Sequence, residues 1–305
     1  MQQALADCGY VAESALAVAV YLSLQLERPL FLEGEPGVGK TEVAKVMATA
    51  LGRPLLRLQC YEGIDRQTAL YEWNYARQLL HIRVQEAWPA GMQEIPEMAE
   101  QRSAWRREVE HQLFSEEFLL RRPLLAAIHP DGPAPVLLID EVDRADEAFE
   151  AFLLEVLAEY QVTIPEFGTL KAKEAPFIFL TSNRTREVHD ALKRRCMYHW
   201  IDYPDLEKEL QIVRAKVSDL PDRLAVLACG FVQRLRQEPL FKRPGIAETI
   251  HWAQALQALH TSSLDPAAVT TTLGCLLKYR DDLDLVLHSS SDRSIRTLLA
   301  EIGAI

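Results

Sequence analysis

The octapeptide GEPGVGKT at residues 34–41 decides how the rest of this chain can be arranged. It fills every fixed position of a phosphate-binding P-loop. Its glycines let the backbone turn tightly and leave no Cβ in the path of an approaching phosphate. The apolar run at residues 29–33 predicts a buried strand before the loop, and apolar residues recur at helical spacing from Val43 to Leu51 after it. This order of strand, loop and helix places the N-terminus of the helix, which carries a partial positive charge, beside a bound anion.

The residues of the loop have separate predicted tasks. Lys40 can reach the β- and γ-phosphates of a nucleotide, and the Thr41 hydroxyl can ligate Mg²⁺. The predicted nucleotide-binding residues are Glu35, Pro36, Gly37, Val38, Gly39, Lys40, Thr41 and Glu42. The competing interpretation is a chance match in a flexible loop, and the matching strand and helix on either side speak against it. A nucleoside triphosphate with Mg²⁺ is therefore the expected ligand.

A second signal lies farther along the chain. Residues 136–139, VLLI, predict a strand buried on both faces, and Asp140 and Glu141 follow it directly. Open α/β sheets bind their ligands at the carboxyl ends of their strands. There Asp140 can hold Mg²⁺, and Glu141 can orient and deprotonate an attacking water. The alternative is a strand that ends in a solvated acidic turn, but a complete P-loop upstream favours the catalytic pair.

Another polar group follows a third buried run. Residues 177–180, FIFL, predict a strand that leads into Thr181, Ser182 and Asn183. The amide of Asn183 can lie between the terminal phosphate and the water, which gives it a catalytic polar role. As the alternative, it can cap the next helix. The catalytic role is the one we favour.

Three cations, Lys193, Arg194 and Arg195, precede a predicted fifth strand at residues 198–202. An arginine near the edge of a nucleotide-binding sheet can reach the phosphate of a neighbouring subunit in trans. A basic helix end that complements the helix macrodipole is the other interpretation. The spacing alone does not decide between the two.

The remaining pattern divides the chain into an α/β part, residues 1–203, and an all-helical part, residues 204–305. The first part is expected to contain a helix at 11–26, a strand at 55–58, a helix that begins at 121–125, a helix at 146–160 and a hairpin at 161–170. It is also expected to contain a charged helical region at 87–107, which breaks at 88–91 and carries Arg102, Arg106 and Arg107 on a solvated face. The second is expected to contain helices at 206–217, capped by Asp205, and at 221–237, 246–259, 266–279 and 292–302. The aromatic stretch at 70–75 fits an exposed working loop and a half-buried helix equally well.

Composition limits the location and the partners. Hydrophobic residues make up 49% and charged residues 25% of the 305 positions, as in a globular protein with a sizeable core. The net charge of -11 repels nucleic acid, so no DNA partner is expected. The five cysteines are scattered without metal-ligand spacing, as buried thiols in a reducing compartment are. The N-terminus lacks a basic region, and the uncharged run at 14–26 is too short to span a bilayer. A cytoplasmic location is expected, with peripheral membrane contact left open.

These features together resemble the AAA+ ATPases over most of the chain. The resemblance rests on the P-loop, Asp140 with Glu141, Asn183, Arg194 with Arg195, and the helical C-terminal part. It implies an α/β fold: a three-layer P-loop AAA+ sandwich with a five-stranded parallel sheet, followed by a small all-helical lid. ATP, ADP and Mg²⁺ are the ligands that it implies.

A closer likeness is to the MoxR family. Residues 138–145, LIDEVDRA, and 154–164, LEVLAEYQVTI, look like that family's "IDEINRA…LLEAMQEGQVTI", with Asp143 in place of the usual Asn. Residues 58–65, LQCYEGID, and 70–75, LYEWNY, look like its CoxD-like branch. That branch is associated with maturing the metal centre of molybdenum hydroxylases of the carbon monoxide dehydrogenase type.

The resemblance also implies roles for individual residues. Lys40 and Thr41 would be Walker A, Asp140 and Glu141 Walker B, Asn183 sensor 1, and Arg195 the arginine finger with Arg194 as the alternative. Gly245 stands where the family expects the sensor 2 arginine, so Arg243 or Lys242 is the expected substitute. The loop at residues 61–75 and the hairpin at 162–170 would face the pore or the substrate.

The function implied is that of an ATP-hydrolysing chaperone in a homo-oligomeric ring, a hexamer by resemblance. It would remodel or activate a metalloenzyme client together with a von Willebrand A-domain protein. Three other functions compete with this one. A small-molecule or nucleotide kinase needs the same P-loop but neither the paired acids nor the lid. A DNA-associated AAA+ regulator conflicts with the charge balance, and a nucleotide-gated scaffold would hydrolyse ATP only incidentally.

Overall fold

The computed structural model describes residues 1–87, 112–288 and 294–304. The charged helical region predicted at 87–107, with its break at 88–91 and its cluster of Arg102, Arg106 and Arg107, lies outside these residues except for its first position. Among the described residues, no helix combines the length and the apolar character needed to cross a membrane.

The described ranges contain nine strands. They are β1 (Leu30–Gly34), β2 (Leu55–Gln59), β3 (Tyr71–Trp73), β4 (Leu119–Arg121), β5 (Val136–Asp140), β6 (Gln161–Ile164), β7 (Gly168–Lys171), β8 (Phe177–Ser182) and β9 (Met197–Ile201). Five of them form one parallel sheet in the order β2-β5-β8-β1-β9, and β6 and β7 form the predicted hairpin. The carboxyl ends of the parallel strands meet at one edge, which carries both the P-loop and the acidic pair. The predicted five-stranded parallel sheet is confirmed.

Helices cover both faces of this sheet. One face carries Gln2–Asp7, Ser14–Gln25 and Lys40–Leu51, and the other carries Pro123–Ile128 and Glu147–Glu159. The other α-helices described before Leu206 are Arg66–Ala69, Tyr75–Ala87 and Asp190–Arg195. Every residue of β1, β5 and β8 is buried, because successive side chains enter opposite apolar layers. Leu30 and Leu32 pack into one layer and Phe31 into the other. The three-layer α/β sandwich expected from the sequence is confirmed.

The aromatic stretch at residues 70–75 is neither the exposed loop nor the half-buried helix considered from the sequence. Its centre is strand β3, which pairs antiparallel with β4. Trp73 is buried against Phe114, with ring centroids 5.1 Å apart in an edge-to-face arrangement. The partner strand lies far along the chain, so the pattern within six residues could not reveal the pairing.

From Leu206 onward the described structure is helical. The helices span Leu206–Lys216, Asp222–Leu235, Ile246–Ala258, Pro266–Thr272, Arg280–Leu287 and Ile295–Glu301. They enclose an apolar cluster of their own around the fully buried Trp252. Asp205 caps the first of them as predicted, since its carboxylate accepts the Lys208 N–H at 2.8 Å.

One predicted helix, at 266–279, is too long. It ends at Thr272 and passes into a 3-10 turn, Leu273–Cys275, and Arg280–Leu287 is a separate helix that the pattern did not reveal. After this turn, the Lys278 ammonium donates to the carbonyls of Gly274 and Cys275 at 2.8 and 2.9 Å, as basic side chains often do at the end of a helix. The start of the helix predicted at 292–302 falls partly outside the described residues, and the described helix begins at Ile295.

Candidate active site

The loop between β1 and the helix Lys40–Leu51 is shaped to receive a phosphate. Gly37 and Gly39 have φ angles of 81° and 96°, in the left-handed region where a residue with a side chain pays roughly 1–2 kcal/mol. Gly39 is also the N-cap of the following helix. The loop therefore delivers the positive end of a helix to the carboxyl edge of the sheet, which is the geometry that binds anions.

Lys40 is buried at the base of this loop. Its ammonium donates to the carbonyl oxygens of Gly34 at 2.8 Å and Glu35 at 2.7 Å. Burial lowers the pKa of Lys40 to about 8, and the carboxylates of Asp143, Glu35 and Asp140 oppose this shift. An arriving phosphate adds negative charge beside the amine, so phosphate binding and the charged form of Lys40 favour each other.

Thr41 and Asp140 bring together side-chain oxygen atoms that could bind a metal ion. The Thr41 hydroxyl lies 3.1 Å from Oδ1 of Asp140, and the Thr181 hydroxyl donates to the same oxygen at 2.5 Å. Mg²⁺ prefers oxygen ligands, commonly one or two from the protein together with phosphate oxygens and water. The donor set fits Mg²⁺ at the predicted position. The described residues contain no group of three or more His, Cys, Asp or Glu placed to hold a metal by themselves.

Glu141 has an unusual backbone conformation. Its φ of 55° and ψ of 50° place it in the left-handed region, at a cost of roughly 1–2 kcal/mol for a residue with a side chain. The Glu141 N–H donates to the Thr181 hydroxyl at 2.9 Å, which holds the turn. This turn aims the carboxylate along the sheet edge, where Oε2 accepts from Gln59 at 3.1 Å and contacts Arg144 at 3.2 Å.

Asn183 lies beside Glu141, as the catalytic interpretation requires. Its amide nitrogen donates to Oε1 of Glu141 at 3.1 Å. The capping alternative is not observed, because the next helix, Asp190–Arg195, is capped by the ring of His189. Asn183 and Glu141 come from the ends of different strands, so the fold and not the local sequence brings them together.

Sequence reasoning missed four residues that shape this cluster: Arg57, Gln59, Asp143 and Thr181. Asp143 is the clearest case, since it is buried and accepts the backbone N–H groups of Asn183 at 3.2 Å and Thr185 at 2.9 Å on separate oxygens. An asparagine has one oxygen and could not accept both in this way. The departure from the usual Asn was therefore the available signal that this position holds the Asn183 loop.

One cavity of about 530 Å³ joins these groups. Its lining includes the P-loop, Asp140, Glu141 and Asn183. The lining also includes apolar side chains from both parts of the chain, among them Tyr10, Val11, Pro204, Ile212, Ile246 and Ile250, and the charged side chains of Lys45, Asp202, Lys208 and Lys216. The volume is in the usual range for small-ligand sites. The P-loop and the polar side chains suit phosphates, and the apolar side chains suit a base.

Neither Arg194 nor Arg195 lines this cavity within its own chain. Both lie exposed at the end of the helix Asp190–Arg195, where Arg28 binds their backbone carbonyls at 2.8 and 3.2 Å. Arg194 forms an ion pair with Asp190 at 2.6 Å. Within the described part of the chain, the Arg195 guanidinium has no side-chain partner. The structure thus leaves Arg195 the freer of the two.

Arg243 lies next to the P-loop but outside the main cavity. It lines a neighbouring depression of about 390 Å³ together with Glu35, Asn183 and Lys242. The predicted substitution for sensor 2 by Arg243 or Lys242 therefore stays a prediction, with both residues close to the phosphate end of the site.

Gly245, at the position where an arginine was expected, packs directly on the P-loop. A Cβ added at Gly245 would come within 2.8 Å of the Cα and carbonyl oxygen of Gly37. The Ile246 N–H donates to that same carbonyl at 3.0 Å. No side chain fits at Gly245 while the helical part docks on the loop in this way.

We expect Gly245→Ala to lower the free energy of unfolding by about 1–3 kcal/mol, the usual cost of overpacking, and to weaken nucleotide binding. Gly245 has φ of -84° and ψ of -177°, which alanine adopts freely, so the effect is purely steric. Denaturant unfolding and a nucleotide titration measure the two effects. Gly274→Ala is the matched control, because a Cβ there meets nothing within 4 Å. Equal behaviour of the two variants would contradict the docking contact.

Comparison with known proteins places the chain in a family. The AAA domain (dynein-related subfamily) matches residues 29–196, a range that holds the P-loop, the acidic pair, Asn183 and both arginines. No curated protein matches the chain. Similar solved structures include a RuvB variant from Thermotoga maritima, at 15% identity and TM-score 0.48 over 95% of this chain and 81% of that one. Another is a Cytophaga hutchinsonii protein described as a candidate ATPase, at 15% identity and TM-score 0.45 over 99% and 93%. Because the family match covers more than half of the chain, the protein belongs to the AAA domain family, in its dynein-related subfamily.

Proposed function

We propose that this protein binds ATP with Mg²⁺ and hydrolyses it to ADP and phosphate. The observation that carries the proposal is the meeting of the P-loop, Asp140, Glu141 and Asn183 around one cavity. A P-loop alone would bind a nucleotide, whereas a carboxylate held beside it by an asparagine amide can activate water.

Each group has its own task in the proposed reaction. Lys40 and the backbone of the loop hold the phosphates. Thr41 and Asp140 would hold Mg²⁺, which when bound neutralises charge on the phosphates. Glu141 accepts a proton from the attacking water, and Asn183 keeps the carboxylate turned toward it. The water oxygen forms a bond to the γ-phosphorus, and the bond between that phosphorus and the oxygen bridging the β- and γ-phosphates breaks. ADP leaves with the bridging oxygen, and inorganic phosphate is released.

We further propose that the site is completed by a second copy of the chain in a ring. The support is the position of Arg195, which is exposed, without a side-chain partner in the described residues, and away from the cavity of its own chain. Offered to a neighbour, its guanidinium would stabilise the charge that develops on the phosphates. A hexamer is the ring size that the AAA+ resemblance implies.

The finer assignment follows the MoxR-like and CoxD-like stretches of the sequence. On that basis we propose a chaperone that remodels or activates a metalloenzyme client, possible partners being a von Willebrand A-domain protein and a molybdenum hydroxylase. The net charge of -11 supports a protein client over DNA. The cytoplasm remains the predicted location.

Nucleotide binding and Mg²⁺-dependent phosphate release by the purified protein test the ATPase. Lys40→Ala should abolish both, because it removes the phosphate-binding amine. Release of phosphate from ATP without an added acceptor distinguishes hydrolysis from a kinase reaction. Phosphate that appears only on an acceptor molecule would overturn the proposed function.

The client is testable with a hydrolysis-deficient trap. Glu141→Gln protein with ATP should retain the client in a pull-down, and Lys40→Ala protein with ATP should release it, since only the first holds the triphosphate state. Identical sets of captured proteins from the two variants would contradict a nucleotide-dependent client.

A further inference from the structure

We propose that Arg57 is a positioning residue of this site. It ties the metal carboxylate, Asp140, to the amide of Gln59, and that amide holds the base, Glu141. The inference rests on the proposed function and deepens it, because it explains how binding of a metal ion at Asp140 can change the orientation of the Glu141 carboxylate.

The register of the sheet brings these side chains together. β2 runs parallel to β5, with Arg57 beside Leu138 and Gln59 beside Asp140. Residues two apart on a strand point to the same face, so Arg57 and Gln59 share one face of the sheet. Because β2 is the edge strand, Arg57 keeps 52% of its side chain exposed while its guanidinium reaches inward.

Arg57 binds two groups at once. Its Nε and Nη2 donate to Oδ2 of Asp140 at 3.0 and 2.6 Å. The same Nη2 donates to the amide oxygen of Gln59 at 2.5 Å. The planar guanidinium presents its donors in a fixed fork, so binding Asp140 sets where the Gln59 oxygen must lie.

This contact decides which end of the Gln59 amide faces the base. With its oxygen on Arg57, the amide directs its NH₂ group to Oε2 of Glu141 at 3.1 Å. Without Arg57 the amide can rotate by a half turn, and its oxygen would then face the carboxylate of Glu141 with no hydrogen bond. Arg57 therefore orients Glu141 without touching it.

Arg57 and a metal ion would also bind the same carboxylate, that of Asp140. The Asp140 side chain is only 3% exposed, and a buried carboxylate left without a compensating charge is destabilising. Arg57 compensates it from the β2 side, and a divalent cation beside Thr41 would do so from the P-loop side. A bound cation thus weakens the attraction between Asp140 and the Arg57 guanidinium. The guanidinium can then shift, and through its hydrogen bond to Gln59 the shift alters the contact between Gln59 and Glu141.

Arg57→Met removes the guanidinium and keeps most of the alkyl stem. We expect its kcat for ATP hydrolysis to fall by about 10-fold or more, as for other residues that orient a catalytic group, with KM for ATP close to wild type. We also expect Mg²⁺ to stabilise the ADP complex at a concentration about threefold lower or more, because the competing positive charge is gone. Thermal unfolding in ADP across a Mg²⁺ series measures this second effect independently of activity.

Arg144→Met is the matched control. Arg144 contacts Glu141 at 3.2 Å, and in the described structure it makes no contact with Asp140. Its removal should leave the Mg²⁺ dependence of the ADP complex unchanged. Gln59→Leu is the second variant, since it breaks the same chain of contacts while Asp140 keeps its partner and folding is spared. The kcat losses of Arg57→Met and Gln59→Leu should not multiply in the double variant, because both act through one amide.

The outcomes separate the inference from the proposed function. Wild-type protein with neither phosphate release nor Mg²⁺-dependent stabilisation by ADP would overturn both. Wild-type protein that shows both, with an Arg57→Met variant of unchanged Mg²⁺ dependence, would overturn the coupling alone. Losses that multiply in the double variant would also overturn it.

Discussion

Glu141→Gln is expected to lower ATP turnover by about 10²–10⁴-fold while ATP still binds, because the variant loses the group that accepts the proton from water. The substitution conserves size, and the Glu141 N–H contact with the Thr181 hydroxyl, 2.9 Å, belongs to the backbone and is retained. Binding is preserved since the P-loop and Asp140 are untouched. Steady-state phosphate release and a fluorescent-nucleotide titration measure the two quantities separately.

Glu147→Gln is the matched control for this prediction. Glu147 is exposed in the first turn of the helix Glu147–Glu159 and does not line the cavity. The Glu147→Gln substitution makes the same chemical change a short distance along the chain, and it should leave ATP turnover unchanged. Turnover of the Glu141→Gln variant equal to that of the control would show that another group accepts the proton.

Arg195→Ala is expected to lower ATP turnover by about 10³–10⁵-fold, the effect of an arginine finger in other phosphoryl-transfer systems. ATP should still bind, because the P-loop and Asp140, which line the cavity, are unchanged in this variant. Arg194→Ala is the matched control: Arg194 is engaged with Asp190 at 2.6 Å, so its removal should have a much smaller effect. A larger loss from Arg194→Ala would reverse the two assignments.

Mixing two inactive variants tests whether the arginine acts in trans. Glu141→Gln subunits have an intact Arg195, and Arg195→Ala subunits have an intact base. In a mixed ring some sites combine both intact groups, so part of the activity should return. No recovery in a mixture shown by light scattering to contain rings would mean that Arg195 serves the site of its own chain.

Much of the site could be predicted because it is encoded in short stretches. The P-loop binds phosphate through consecutive backbone groups together with Lys40 and Thr41, so residues 34–41 and the strand and helix patterns beside them are sufficient to recognise it. Four apolar residues before Asp140 similarly predict a buried strand that ends in an acid. Such patterns act within a few residues, and a sequence displays them directly.

Other parts of the structure depend on which segments become neighbours. The pairing of β3 with β4 joins residues far apart in the chain, and the stretch that forms β3 carries no periodicity of its own. The role of Gln59 likewise needs the order β2-β5, which sets it beside Asp140. No spacing along the chain contains that information.

By itself, the sequence determined that this chain forms a phosphate-binding loop, a parallel sheet with acids at its carboxyl edge, and a helical C-terminal part. Local geometry and apolar runs indicate the loop, the buried strands and the helices, and the resemblance to the AAA+ ATPases implies that the strands form a parallel sheet. Tertiary structure alone decided that Arg57 binds Asp140 and that Gln59 binds Glu141. It also decided that Asp143 holds the loop of Asn183 and that Gly245 must lack a side chain. The physical reason is that hydrogen bonds and steric contacts depend on distances of a few ångströms, which only the packed fold sets between residues remote in sequence.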